Sequence, residues 1–202
     1  PTYIQKMITD TRYNEEDIVS VIDYLKEQGG GKFNPDVLES ARHFYSGDAR
    51  GTWKPAKVIK NNNVLIIGPG PSSTSHCNAI ESYIKTHSPF VIALNTQKSI
   101  SEEFINARAA CHPVRILADC QEHLNSPQPL IVPVSMLPND VKQKLKQGKL
   151  LDFGIAIDVN GFVFNDNNCT LPNLLVLSYA LAIATSGKAR QILLAGFDGY
   201  GA

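Results

Sequence analysis

From Val58 onward, the chain alternates short apolar runs with segments in which apolar residues recur at helical spacing. The apolar runs predict six strands: VLIIG (64–68), FVIAL (90–94), VRILA (114–118), PLIVP (129–133), FGIAIDV (153–159) and QILLAG (191–196). Helical spacing lies between them, at 73–86, 101–110, 138–147 and 171–186. Short apolar strands separated by helices are typical of a mostly parallel sheet covered on both faces. We therefore predict an α/β, Rossmann-like fold for residues 58–202.

One pair of apolar runs has a second interpretation. FGIAIDV and the following GFVFN are joined through Asn160-Gly161, a dipeptide that fits the type I′ turn of an antiparallel hairpin. The polar run at 165–168 comes next, and we expect a loop there. A calcium loop would need a central glycine and a terminal glutamate, and both are absent.

Residues 1–57 show no strand alternation and predict a separate helical segment. Asn14 precedes three acidic residues, as at a helix start, and Asn34-Pro35 marks a second start. Each predicted helix has one apolar face, which needs a partner surface. Because the chain opens on proline and stops soon after an apolar strand, we expect it to be a piece of a longer protein, truncated within the Rossmann-like domain.

Charge and cysteine content narrow the class of protein. Lysine and arginine total 19, as do aspartate and glutamate, so no basic field exists to attract nucleic acid or a membrane surface. The apolar run LLVLSYALAIA (174–184) is too short to cross a bilayer. Four scattered cysteines fit reduced thiols better than a disulfide framework. We expect a cytoplasmic protein that contacts neither nucleic acid nor membrane.

The first predicted strand runs into a glycine-rich turn, VLIIGPGPSS (64–73). Gly68 and Gly70 would let the backbone approach a phosphate, and Ser72 and Ser73 would open the next helix. The turn differs from the dinucleotide fingerprint, because a serine stands at the third glycine position and two prolines remove backbone donors. It also lacks the Gly-Lys-Ser/Thr ending of a Walker loop. These differences argue against NAD and leave two interpretations, a phosphate or nucleotide site and a structural strand-to-helix turn.

Two more polar residues follow predicted strands. Asn95 ends the second strand, where dinucleotide enzymes usually carry an acid; it would bind a base, ribose or phosphate, or cap the following loop. Asp198 follows the last strand and would bind a ribose, a metal or a substrate hydroxyl, or form an Asp-Gly turn. The histidines and cysteines match no zinc spacing, and no nucleophile motif is present. The sequence thus predicts no metal site and assigns no catalytic residue.

The first quarter of the chain resembles a known family. PTYIQKMITDTRYNEEDIVSVIDYL and GGGKFNPDVLESARHFY are similar to the segment that follows the TIM barrel of 4-hydroxy-2-oxovalerate-type aldolases. The resemblance implies an upstream barrel in the same chain, carrying a divalent metal and the catalytic residues of a carbon-carbon lyase. No residue of this chain matches those catalytic or metal-binding positions. On its own, the chain is therefore expected to lack aldolase activity.

Residues from Asn63 onward resemble the Rossmann-like domains of motility-associated glycosyltransferases and bacterial sialyltransferases. The similar segments are VLIIGPGPS, the strand ending in Asn95, and ILLAGFDGY at 192–200. The resemblance implies that Gly68, Gly70, Ser72, Asn95 and Asp198 lie against a nucleotide such as CMP. We expect a nucleotide- or nucleotide-sugar-binding domain attached to an aldolase-like protein of sugar or keto-acid metabolism. The alternative is a non-catalytic regulatory domain that docks on the barrel or mediates homo-oligomer formation.

Overall fold

The structure is a computed structural model that describes Tyr45, residues 48–158 and residues 160–198. The helices predicted before residue 45 lie outside the described residues. The predicted domain boundary at residue 57 falls within a short helix, Ala56–Ile59.

The described strands form two sheets. In chain order they are β1 (Asn63–Ile67), β2 (Phe90–Leu94), β3 (Ala107–Ala109), β4 (Leu130–Val132), β5 (Leu150–Asp152), β6 (Gly154–Ile157), β7 (Val163–Phe164), β8 (Asn168–Leu171) and β9 (Gln191–Ala195). The main sheet has six strands in the order β5-β4-β3-β2-β1-β9, and every pairing in it is parallel. The predicted α/β, Rossmann-like fold is confirmed.

Helices connect these strands. They are α1 (Ala56–Ile59), α2 (Pro71–Ser75), α3 (Cys77–His87), α4 (Pro113–Ala118), α5 (Cys120–Asn125), α6 (Asn139–Leu145) and α7 (Val176–Ser186). Single 3₁₀ turns lie at Glu102–Phe104 and Val134–Met136. In this part of the chain, no helix is both long and apolar enough to cross a membrane.

The two faces of the main sheet are buried in two different cores. Val64 and Ile66 of β1 belong to the larger core, together with Tyr179 and neighbouring residues of α7. Leu65 and Ile67 belong to the smaller core, which includes Ile84 of α3. Successive strand residues point to opposite faces, so α7 and α3 cover opposite sides of the sheet. Complete burial of a side chain such as Ile66 stabilises the fold by roughly 1.5–3 kcal/mol.

The second sheet corrects the hairpin interpretation. β8 lies between β6 and β7, parallel to the first and antiparallel to the second, so the two runs flanking Asn160-Gly161 do not pair with each other. The Asp158 side chain accepts the N–H of Asn160, and its carbonyl accepts that of Gly161, which turns the chain away from β6. The hairpin joins β7 to β8 instead. Its turn is formed by residues 165–167, so the predicted loop is confirmed there, while Asn168 is the first residue of β8.

Two further predictions of secondary structure were wrong. VRILA at 114–118 lies in α4, because Pro113 occupies the first helical turn, where its missing N–H costs no hydrogen bond. The predicted helix at 101–110 is a 3₁₀ turn followed by β3. The sequence did not predict this strand because it is only three residues long and carries a charged residue, Arg108, at its centre.

The order of the strands indicates where a ligand would bind. The chain moves outward from β1 through β2 to β5, and then returns to place β9 on the other side of β1. Open α/β sheets bind ligands beyond the carboxyl ends of their strands, near the point where the strand order reverses. The reversal lies between β1 and β9, so the segments that follow these two strands come first, and the segment after β2 lies next to them.

Candidate functional site

The glycine turn after β1 packs directly on the turn after β9. A Cβ atom added to Gly68 would lie 2.7 Å from the carbonyl oxygen of Gly196. A Cβ atom on Gly70 would lie 2.6 Å from that same oxygen and 2.6 Å from Oδ2 of Asp198. Glycine is thus required at both positions for the close approach of two strand ends, whether or not a ligand binds there.

The backbone donors of the turn are used within the protein. The donor–acceptor pairs are Gly68 N to Ala195 O (2.8 Å), Gly70 N to Gly196 O (2.9 Å), Ser72 N to Asp198 Oδ2 (2.7 Å) and Ser73 N to Gly70 O (3.0 Å). The two prolines have no N–H to offer. A phosphate that bound these groups would first have to displace internal hydrogen bonds.

Asp198 occupies the position at the start of α2 that an anion would take. Its carboxylate accepts the Ser72 N–H, and hydrogen bonding from the Ser72 side chain and then from its backbone N–H lowers the pKa of the carboxyl group. The side chain therefore acts as a cap that joins the turn after β9 to the turn after β1.

Asn95 differs from these residues because part of its side chain has no partner. Its backbone has a φ of 51°, in the left-handed region that asparagine tolerates, and its N–H donates to Ala109 O at 2.9 Å. Its side-chain Oδ1 is buried, with no hydrogen-bond partner among the described residues. An unsatisfied buried acceptor costs about 1–3 kcal/mol, so a turn of the Asn95 side chain that brought this oxygen to a donor on a ligand would be favourable.

Asn95 lines a cavity of about 560 Å³ beyond the carboxyl ends of β1 and β2. The walls are formed by the turn after β1, the loop after β2 and two helices, through Pro69, Ser73, Thr74, residues 94–99, Arg115 of α4 and Glu122 of α5. Of the six predicted site residues, the structure brings Ser73 and Asn95 to this cavity. Gly68, Gly70, Ser72 and Asp198 lie beside it and shape the turn that forms one wall.

A buried arginine holds the loop after β2 in place. Arg108 of β3 is 1% exposed, and its Nη1 donates to the carbonyl oxygens of Asn95 (3.2 Å) and Gln97 (2.8 Å). Its Nη2 contacts both carboxylate oxygens of Glu102 at 2.7 and 2.8 Å, and its Nε donates to Gln128 Oε1 at 3.3 Å. The buried charge is thus fully paired, and it fixes the loop that carries Asn95.

Gln97 connects this loop to the glycine turn. Its Nε2 donates to Gly68 O at 3.0 Å and to Ser73 Oγ at 3.2 Å, while the Ser73 hydroxyl donates to Gly70 O at 2.8 Å. Both Gln97 and Arg108 were missed by sequence reasoning, because neither belongs to a motif. Most of their partners lie 11 to 29 residues away in sequence, so the one available signal was a charged residue among alanines at 107–110.

Two cations line the cavity. Lys98 Nζ lies 2.5 Å from Glu122 Oε1, and Arg115 Nη1 lies 3.5 Å from Asp119 Oδ2. Hydroxyl and amide side chains surround them. The arrangement is suited to an anionic ligand that also forms several hydrogen bonds.

The described residues do not single out a nucleophile or a metal site. Burial raises the pKa of the Cys169 thiol to about 12 and raises that of Cys111 further, so both thiols stay protonated. Within Tyr45, 48–158 and 160–198, no three histidine, cysteine, aspartate or glutamate side chains are grouped so as to hold a metal ion. The geometry therefore indicates binding and assigns no chemical step.

Comparison with known proteins gives little further information. No family model and no curated protein matches the chain. Among solved structures, it is similar to a MAf glycosyltransferase from Magnetospirillum magneticum, at 13% identity and a TM-score of 0.49. The match covers 79% of this chain but 26% of the other, so the chain spans about a quarter of that protein's length. Likeness at this level carries no information on ligand or activity, and the aldolase resemblance finds no support in these comparisons.

Proposed function

We propose that the Rossmann-like domain binds a nucleotide, or the nucleotide part of a nucleotide-sugar, in the cavity beyond β1 and β2. The observation that carries the proposal is the cavity of about 560 Å³ lined by Asn95, whose side-chain Oδ1 is buried without a hydrogen-bond partner among the described residues. Its volume lies within the range of small-molecule sites, roughly 300–1,000 Å³. Its position at the carboxyl edge of parallel strands is the usual one for ligands in this architecture.

Each part of a nucleotide has a suitable counterpart in the cavity wall. Lys98 and Arg115 supply positive charge for phosphate groups. Asn95 Oδ1 would accept a hydrogen bond from an exocyclic amino group of the base or from a ribose hydroxyl. Pro69 offers apolar surface to a ring. Because the N–H groups of the glycine turn are used internally, we expect the phosphate to be bound by side chains.

Calorimetric titration of this chain with CMP, CDP, UDP and AMP tests the proposal. We expect saturable binding of at least one nucleotide. Asn95→Gly removes the side chain but keeps the positive φ accessible, and it should weaken binding at least tenfold. The matched control is Asn61→Gly, since Asn61 is exposed, lies outside the cavity and has a φ of 64°.

Two outcomes would contradict the proposal: no binding of any nucleotide, or equal effects of the two asparagine substitutions. A chain that binds no nucleotide would favour the alternative of a non-catalytic interaction domain. The aldolase context stays a prediction about a parent protein, and it rests on the resemblance of the first quarter alone.

A further inference from the structure

One of the two cations in the cavity is already paired with a carboxylate that lines the same cavity. Lys98 lies in the loop after β2 and Glu122 in α5, and both side chains form part of the cavity wall. Lys98 Nζ lies 2.5 Å from Glu122 Oε1. A phosphate group that approached Lys98 would therefore meet an ammonium that has an anionic partner.

This contact can open by rotation of two side chains, because the backbone at each end is held by other interactions. Before Lys98, the carbonyl oxygen of Gln97 accepts Arg108 Nη1 at 2.8 Å. After Lys98, the N–H of Ser99 donates to Oε1 of the Gln97 side chain. Glu122 is fixed at the other end by the helical backbone of α5.

Opening the contact also costs little free energy. The side chains of Lys98 and Glu122 are 64% and 39% exposed. Ion pairs this exposed contribute little to stability, because water screens the charges and two long side chains must be held still. The other cation differs, since Arg115 pairs with Asp119, whose side chain is 7% exposed. Lys98 is thus the cation that can exchange its partner more easily.

A phosphate group is a stronger partner for Lys98 than the carboxylate that it would replace. A phosphate monoester carries a charge of about −1.5 to −2 at pH 7 and three acceptor oxygens, whereas a carboxylate carries a single charge. A ligand without phosphate has no charge with which to displace Glu122. The contact should therefore oppose phosphate-bearing ligands and leave neutral ones unaffected.

We propose that Glu122 is an internal competitor for Lys98, in an autoinhibitory contact that lowers the affinity of the cavity for phosphate groups. A bound phosphate would take the place of the carboxylate at Lys98 Nζ, and the Glu122 side chain would turn towards solvent. This inference rests on the proposed nucleotide site for its location. It adds to that site a means of regulation, because any change that removes the Glu122 charge would strengthen binding.

Calorimetric titration of Glu122→Gln with CDP, UDP and inorganic pyrophosphate tests the proposal. We expect each anion that binds the unaltered chain to bind this variant roughly two- to fivefold more tightly, which is the change in affinity equivalent to one exposed ion pair. Cytidine and uridine, which carry no phosphate, should show no gain.

Lys98→Gln distinguishes direct competition from general repulsion by the carboxylate. Without the ammonium, Glu122 has no cation to occupy at this position. We expect Lys98→Gln to weaken binding of the anions, and Glu122→Gln added to it should give a clearly smaller gain than in the unaltered chain. Such non-additive effects are expected of two residues in direct contact, whereas repulsion alone would give the same gain with or without Lys98.

Glu103→Gln is the matched control. Glu103 is an exposed glutamate in the 3₁₀ turn at Glu102–Phe104, and it is not among the residues that line the cavity. The substitution removes the same charge from the chain. It should leave the affinities for CDP, UDP and pyrophosphate unchanged.

The outcomes separate the two proposals. If a nucleotide binds but Glu122→Gln gives no gain, or gives the same gain without Lys98, the autoinhibitory contact is overturned and the nucleotide site stands. If pyrophosphate alone binds and shows the expected pattern, the contact is supported and the nucleotide proposal fails. If neither the nucleotides nor pyrophosphate bind to any variant, both proposals fail.

Discussion

Arg108 illustrates, at the scale of single residues, how a structural charge can position a candidate site. It does not line the cavity, yet its guanidinium bonds the carbonyl oxygens of Asn95 and Gln97, which precede and follow the bend of the β2 loop. Its bidentate contact with Glu102 fixes the guanidinium in turn. The loop geometry thus depends on one buried side chain of the neighbouring strand.

Replacement of this side chain should have a large effect on stability. Arg108→Met keeps the length but leaves two part-buried loop carbonyls and Gln128 without their donor. We expect a loss of about 3 kcal/mol in the free energy of unfolding, at the low end for a broken buried pair because Glu102 is 40% exposed. Urea denaturation followed by circular dichroism measures it.

The control for this prediction is Arg190→Met. Arg190 also donates a hydrogen bond, from Nε to Asn63 Oδ1 at 3.0 Å, but in an exposed position. Its loss should cost less than about 1 kcal/mol. Equal losses for the two variants would show that the buried network does not stabilise the loop.

The polar residues of the site were predictable from sequence only where a strand led into them. Asn95 and the serines of the glycine turn follow obvious apolar runs, so sequence reasoning found them. Gln97, Lys98 and Arg115 contribute to the cavity through the folding of a loop and a helix. Nothing in their local sequence distinguishes them from ordinary surface residues.

At the scale of elements, the length and apolar character of each strand decided what could be predicted. β1, β2, β4 and β9 are continuous apolar runs and were predicted correctly. β3 has three residues with arginine at its centre, and β5 ends in Asp152, whose carboxylate accepts the Ser135 N–H at 2.9 Å. Both strands are buried by other segments of the protein. The spacing of apolar residues within a strand cannot reveal such contacts.

The turns after β1 and β9 form a single unit, and this predicts the effect of adding a methyl group. Gly70→Ala places Cβ against the Gly196 carbonyl and the Asp198 carboxylate, both at 2.6 Å, and the carbonyl belongs to backbone that cannot move aside easily. We expect a loss of roughly 2–4 kcal/mol in the free energy of unfolding, the range of large steric effects.

Gly148→Ala provides the comparison for this prediction. Its added Cβ would meet the side-chain Cδ2 of Leu124 and the backbone oxygen of Leu145, both at 3.3 Å, so each neighbour has to move by much less than beside Gly70. The change should cost less than about 1 kcal/mol. A Gly70→Ala variant as stable as Gly148→Ala would mean that the two turns can separate.

The whole molecule, as far as the described residues extend, consists of a six-stranded parallel sheet with a three-stranded sheet inserted before its last strand. The sequence predicted the fold class because helices and apolar strands alternate. It did not predict the second sheet, since β6, β7 and β8 are short and β6 pairs with β8, not with β7 across the Asn160-Gly161 dipeptide. The strand order, which places the cavity next to β1, likewise depends on contacts between residues distant in sequence.

Global stability should depend on pH through two histidines. Burial lowers the pKa of His112 to about 4, and burial together with the charge of Arg108 lowers that of His123 to about 4. Both rings are neutral in the folded protein at about pH 5, whereas the unfolded chain begins to bind protons below about pH 6.5. Stability should therefore be highest above about pH 6.5 and should fall as the pH is lowered towards about 4.

The contribution of His123 can be isolated, because neither of its ring nitrogens has a hydrogen-bond partner among the described residues. His123→Leu removes the titrating group at little cost in packing. It should reduce the loss of stability between about pH 7.5 and 4.5 by roughly 2–3 kcal/mol, at about 1.4 kcal/mol for each pKa unit.

Urea denaturation at several pH values measures the difference, and His87→Gln, in an exposed position on α3, should leave the profile unchanged. An unchanged profile for His123→Leu would mean that the ring is protonated, or accessible to water, in the folded protein.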